Sequence, residues 1–291
     1  YDENMFFQAL SEIEILDFYC SRFSAKSAVY EPRLGVGQAN PEASFRAMFP
    51  CDQGEDFEIK VNIEVKTPRF PSLDECHDRS AISTVLLTNA GRDKFQQLCE
   101  SHGVVCVFPR VNKLVEFINS ASKKFQEPKE NEYNLLYINW SYSDFPSNSF
   151  LEAWSLLTND FNGLLTHREI GPKLPLSEPL NPEAFSKITA IIVYTSSLDQ
   201  LMSTDFRYVW QGTNPDVGQR FRMFVLDEKL RDAEISCNSK VLFTITGIRP
   251  SILEPKSWKL LFNRNRNSNT IDDQLFCRQA LDIINEYPLT F

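Results

Sequence analysis

Apolar and polar positions alternate with period two across residues 57–66, so that Ile59, Val61, Ile63 and Val65 fall on one side of an extended chain and Lys60, Asn62, Glu64 and Lys66 on the other. The pattern predicts a β-strand with one buried and one solvated face, ended by Pro68. Residues 43–49 read as a second strand, and the loop over 50–55, with Gly54 inside it, joins the two as an antiparallel hairpin. Residues 28–30 add a short extended piece before the turn-rich stretch 35–41. Ahead of these, Phe6, Leu10, Ile13 and Leu16 recur at three- and four-residue spacing and predict a helix over 4–19, on which Glu12 and Glu14 also ride.

Further along, residues 89–101 place Phe95, Leu98 and Cys99 on one helical face, with Gly103 where a helix end turns. Residues 104–108 are a continuous apolar run of buried-strand type. Asn112 suits the cap of another helix, whose Leu114, Phe117, Ile118, Ala121 and Phe125 make a stripe. Past the polar residues 126–131, the runs 135–140 and 188–194 are too apolar for a solvated face and belong inside a sheet covered on both sides, with a helix over 150–157 between them. Residues 206–210, 221–226 and 240–246 are further strand candidates. The fold class that follows is α/β, a mixed central sheet flanked by helices. Strand 57–66 is expected to be internal, packed between the 4–19 and 92–101 helices. A boundary is expected near residue 128, between a core over 1–127 and a large C-terminal α/β extension or second lobe over 128–291.

Composition narrows the class. A chain of 291 residues with 42% hydrophobic and 24% charged residues buries a sizeable core and is neither disordered nor fibrous. No apolar run reaches about 18 residues, so no membrane span is expected, and no basic stretch leading into an apolar one opens the sequence as a secretion signal. Seven cysteines, without Cys-x-x-Cys or zinc-type Cys/His spacing, read as reduced thiols of an intracellular, cytoplasmic protein, and the isolated Cys76-His77 is a loop coincidence. A net charge of −9 excludes a protein that coats nucleic acid with a wholly basic surface, but not one with a local basic groove. The best such groove is residues 249–266, where Lys256, Lys259, Arg264 and Arg266 surround Trp258: cations for phosphates and an aromatic for a base, or a solvated loop whose aromatics serve the core. The glycines at 35 and 37 lack a dinucleotide fingerprint, no Walker loop or Gly-x-Ser-x-Gly elbow is present, and the three histidines are scattered.

The chemistry sits on the first strand described. Glu64 and Lys66 share its polar face, about 7 Å apart along the strand. A carboxylate there can hold a hard divalent cation, and the lysine can orient a water or neutralise charge developing on a phosphate. Glu-x-Lys on the third strand, after a hairpin and a leading helix, resembles the core of the PD-(D/E)XK superfamily, the restriction-endonuclease-like nucleases. The resemblance covers residues 1–125, under half of the chain. It implies that Glu64 and an acid on the preceding strand hold Mg²⁺ or Mn²⁺, that Lys66 assists the attacking water, and that an acid of the first helix joins them. Pro41-Glu42, 22 residues before Glu64, matches the acidic position with Glu in place of the usual Asp. Ser44 is the alternative occupant of that position, and would leave the site weakened. Glu14, with Glu12 beside it, supplies the helix acid.

Two functions are therefore expected. One is a metal-dependent nuclease acting on nucleic acid, DNA before RNA, with Glu42, Glu64 and Lys66 catalytic and Glu42, Glu64 and Glu14 around the metal. The other is a non-catalytic nuclease-like scaffold that binds nucleic acid, or a protein partner through its C-terminal half. On a solvated strand face Glu64 would add little to stability, so its replacement is expected to leave the fold intact.

Overall fold

The computed structural model describes residues 3–23, 28–33, 39–49, 55–68, 81–83, 89–107, 110–140, 152–154, 156–158, 163–166, 178–196, 221–226, 245–246, 261–263 and 273–286. The chain forms two compact units built from alternating segments. Residues 1–68, 113–141 and 178–254 make one, and residues 69–112, 142–177 and 255–291 the other. The expected single division near 128 is not where the units part, because the strand that begins just beyond it pairs with strand 57–66.

The first unit holds a six-stranded mixed sheet in the order β1-β2-β3-β6-β7-β8, with β1 Val29–Tyr30, β2 Ala43–Phe49, β3 Phe57–Lys66, β6 Glu132–Asn139, β7 Ala190–Tyr194 and β8 Phe221–Val225. Strand β2 runs antiparallel to β1 on one side and to β3 on the other, the β2–β3 pair as the hairpin pattern predicts; β3, β6 and β7 are parallel, and β8 closes the row antiparallel to β7. Strand β3 is thus internal. Every residue from Tyr133 to Trp140 and from Ile188 to Tyr194 is buried, as continuous apolar runs require.

Helix α1 (Glu3–Phe23) packs Ile15, Phe18 and Tyr19 on the odd-numbered face of β3, against Ile59, Val61, Ile63 and Val65, with Ala43 and Phe45 of β2 in the same core. The stripe it buries is not the expected one. Ile13 is 55% exposed, whereas Phe7, Ser11, Glu14, Ile15, Phe18 and Tyr19 are buried. The helix is apolar on more than one side, and the sheet selects the side whose two polar members find partners: the Ser11 hydroxyl donates to Phe7 O and Glu14 accepts from the Ser196 hydroxyl.

Helix α3 (Val111–Lys124), whose predicted stripe of Leu114, Phe117, Ile118, Ala121 and Phe125 is buried throughout, serves the opposite face: Phe117 meets Trp140 edge-on. It begins one residue before Asn112, which lies inside the first turn rather than capping it. This helix, and not the 92–101 helix, is the second partner of the sheet. The latter, α2 (Asn89–Ser101), belongs to the other unit, where its Phe95 and Cys99 pack with Val104 and with Phe276 and Ala280 of the last helix, Asp273–Glu286. Gly103 ends α2 at φ 65°, a left-handed turn that glycine takes without strain. The apolar run after it forms β5 (Val105–Val107) in a three-stranded sheet with β4 (Ala81–Ser83) and β9 (Leu261–Asn263). Of the remaining strand candidates, 206–210 lies outside the described residues, and Ile245 and Thr246 of 240–246 are helical. Among the described residues no helix is long and apolar enough to cross a membrane.

Candidate functional site

The polar face of β3 is not solvated. Asn62 is 1% exposed and Glu64 is fully buried, because β2 and β6 flank the strand and α3 reaches across it. At the entry of the strand this face is a cross-strand polar ladder. Lys60 Nζ lies 2.7 Å from Glu132 Oε1, and Asn62 Nδ2 donates to Glu132 Oε1 at 2.8 Å and to Asn134 Oδ1 at 2.7 Å, each with its register partner or the residue two before that partner on β6. At Glu64 the ladder stops, since the facing residue of β6 is the buried Leu136, and Lys66 faces Ile138.

The partners of Glu64 come from elsewhere. Extending the β2–β3 register by one pair beyond Ala43 and Ile63 sets Glu42 opposite Glu64. Ser44 pairs with Asn62, so Glu42 and not Ser44 holds the place across from Glu64. Two ammonium groups then converge: Lys66 Nζ is 2.6 Å from Glu64 Oε1, and Lys124 Nζ, from the last residue of α3, is 2.7 Å from the same oxygen and 3.4 Å from Glu42 Oε1. Glu64 Oε2 is buried without a hydrogen-bond partner, as is Asn62 Oδ1 two residues earlier on the same face. Two carboxylates and two ammoniums thus meet at the β2, β3 and α3 junction, with buried acceptor oxygens to spare.

The electrostatics follow from burial. Removal from water raises the pKa of Glu42 to about 7, helped by the negative charges of Glu64 and Glu12 and opposed by Lys124 and Lys66. Burial works against the Lys124 ammonium, but Glu64 and Glu42 outweigh it and hold its pKa above the ordinary lysine value. Tyr30, 63% exposed on β1, has its hydroxyl pKa raised by partial burial and by the charges of Glu42 and Glu12.

Of the residues expected to form the site, Glu42, Glu64 and Lys66 come together. Glu14 does not join them; it faces the sheet core, where Ser196 donates to its Oε1 at 3.2 Å. Two residues advance a helix by about 200°, which separates Glu14 from Glu12. Glu12, which accepts from Gln8 Nε2, is the helix acid whose charge reaches Glu42. Among the described residues no three His, Cys, Asp or Glu side chains form a group able to hold a metal. Lys256, Trp258, Lys259, Arg264 and Arg266 lie outside the described residues. Lys124 escaped the sequence reading because two lysines in a last helical turn suit the helix dipole. The available signal was phase: Lys124 follows Ala121 by three and Phe117 by seven, so it continues the buried stripe.

Glu42 and Glu64 are carboxylates of the kind hard cations prefer, each within reach of Lys124, and Glu64 Oε2 and Asn62 Oδ1 are buried acceptors that no hydrogen bond uses. Comparison of the chain with protein-family models, curated proteins and solved structures finds no match.

Proposed function

We propose that the protein is a metal-dependent phosphodiesterase acting on nucleic acid, with Glu42 and Glu64 as metal ligands and Lys66 as the residue that positions the attacking water. The observation that carries the reading is Glu64: a buried carboxylate whose neighbour on β6 is a leucine, paired across β2 with Glu42, and with one oxygen left unpartnered. Burying a charge in such a place is costly, and an apolar residue would serve the fold better, so its presence points to chemistry. The helix, hairpin and parallel-strand order around it supports a restriction-endonuclease-like arrangement of the core.

When bound, a divalent ion would polarise the scissile phosphate and favour ionisation of water. Glu64 and Glu42 would fix it by their carboxylates. Lys66, 2.6 Å from Glu64 Oε1, would orient the attacking water beside the ion and offset the negative charge that grows on the phosphate oxygens. The nearby apolar wall of Leu136 and Ile138 excludes water from one side and strengthens these interactions. Lys256, Lys259, Arg264 and Arg266, with Trp258, are the proposed contacts to phosphates and bases.

Incubation of the full chain with single- and double-stranded DNA and RNA, with and without Mg²⁺ or Mn²⁺, tests the proposal. Metal-dependent cleavage that is lost in Lys66→Ala supports it; cleavage by Lys66→Ala at the wild-type rate refutes the assignment of Lys66. The second reading is a nuclease-like scaffold that binds nucleic acid without cutting it. Retention of a labelled duplex with no cleavage under any metal would select that reading.

A further inference from the structure

Lys124 touches both carboxylates of the site, 2.7 Å from Glu64 Oε1 and 3.4 Å from Glu42 Oε1, whereas Lys66 touches Glu64 alone. An ammonium within reach of two facing carboxylates occupies the place that a cation bridging them would take. Lys66 belongs to the same strand as Glu64 and is held beside it by the two-residue period. Lys124 stands on another element, at the last residue of α3, and its side chain is 20% exposed, so it has solvent to withdraw into. We propose that Lys124 is the resident counter-ion of this site: it fills the cation position between Glu42 and Glu64 and competes there with a divalent metal, which must displace it.

The inference rests on the metal-binding reading above and deepens it. It makes metal loading a switch for Lys124: one monovalent charge leaves two carboxylates as a divalent charge arrives, and a freed ammonium becomes available to a phosphate. Without Lys124, the two carboxylates repel each other with Lys66 alone to offset them, and a metal has no competitor.

Residue-resolved acetylation of the full chain, followed by mass spectrometry, tests this with and without saturating Mn²⁺. Lys124 should label several-fold faster when Mn²⁺ is bound, while Lys60, held by Glu132, should not change. Calorimetric titration of Mn²⁺ into Lys124→Met should give a Kd at least tenfold lower than wild type. Unchanged labelling of Lys124 in protein that calorimetry shows to be loaded, or equal or weaker binding by Lys124→Met, overturns the inference and leaves the metal reading standing. Absence of binding in both wild type and Lys124→Met overturns both. If Lys124→Met does not fold, the labelling of wild type decides alone.

Discussion

The polar face of β3 carries two kinds of buried charge within a few residues. At the Lys60 and Asn62 end, each donor finds an acceptor on the adjoining strand: Lys60 with Glu132, and Asn62 with Glu132 and Asn134, whose own amide donates to Gln126 O and Lys187 O. At the Glu64 end, the adjoining strand offers leucine and isoleucine, and Glu64 and a second carboxylate, Glu42, are matched instead by two lysines from β3 and α3. The first end is what a sheet needs to keep its register when polar residues go inside. The second is not required by the register at all. The contrast teaches that burial alone does not mark a functional group; burial among partners that the local pairing does not supply does.

Four substitutions along this face sharpen the contrast, in falling order of effect. Glu64→Ala leaves two partly buried ammoniums facing each other and should cost about 3 to 5 kcal/mol, seen as a lower denaturation midpoint. This reverses the expectation of a neutral change, because Glu64 is fully buried rather than strand-exposed. Asn134→Ala strips three hydrogen bonds from one buried amide and should cost about 2 to 3 kcal/mol by the same measurement. Loss of more stability here than at Glu64 would break the comparison.

Glu132→Gln should cost about 1 kcal/mol at neutral pH, the pair being partly solvated. Burial works to raise the Glu132 pKa, but hydrogen bonds from Lys60 and Asn62 hold it below the ordinary value. A carboxyl with a depressed folded-state pKa stabilises fully above its unfolded pKa of about 4.3 and loses that contribution as pH falls through the folded value. The gap in stability between wild type and Glu132→Gln should therefore close below about pH 4, measured by denaturation across pH. A constant gap would show that packing, not charge, is what Glu132 supplies. Least affected is the exposed pair at the strand start: Glu58→Gln, which breaks the contact with Arg46, should change stability by under about 0.5 kcal/mol.

Period-two alternation was enough to find β3, its hairpin with β2 and the Glu64 and Lys66 face, because strand geometry puts alternate residues on opposite sides whatever surrounds them. It could not tell that the polar side is covered, since covering depends on α3, more than forty residues away in the chain. The buried stripe of α1 was ambiguous for a related reason. Phe6, Leu10 and Ile13 are as apolar as Phe7, Ile15 and Phe18, and hydrogen bonds from Ser11 and to Glu14 decide between them. The helix over 89–101 was legible as a helix, but not as part of another unit, because local patterning carries no information on which sheet a helix covers. Lys124 sat in plain sight on a predicted stripe and was hidden by its terminal position.

A cation site and a structural ion cluster at the Glu64 end differ in whether Glu42 governs metal affinity. Calorimetric titration of Mn²⁺ into wild type and Glu42→Gln tests it most directly, with melting in metal-free buffer as the control on folding. A cation site requires that wild type binds Mn²⁺ and that Glu42→Gln, with its fold kept, binds at least tenfold more weakly. Equal affinity in the two proteins, or no binding by wild type, would contradict it.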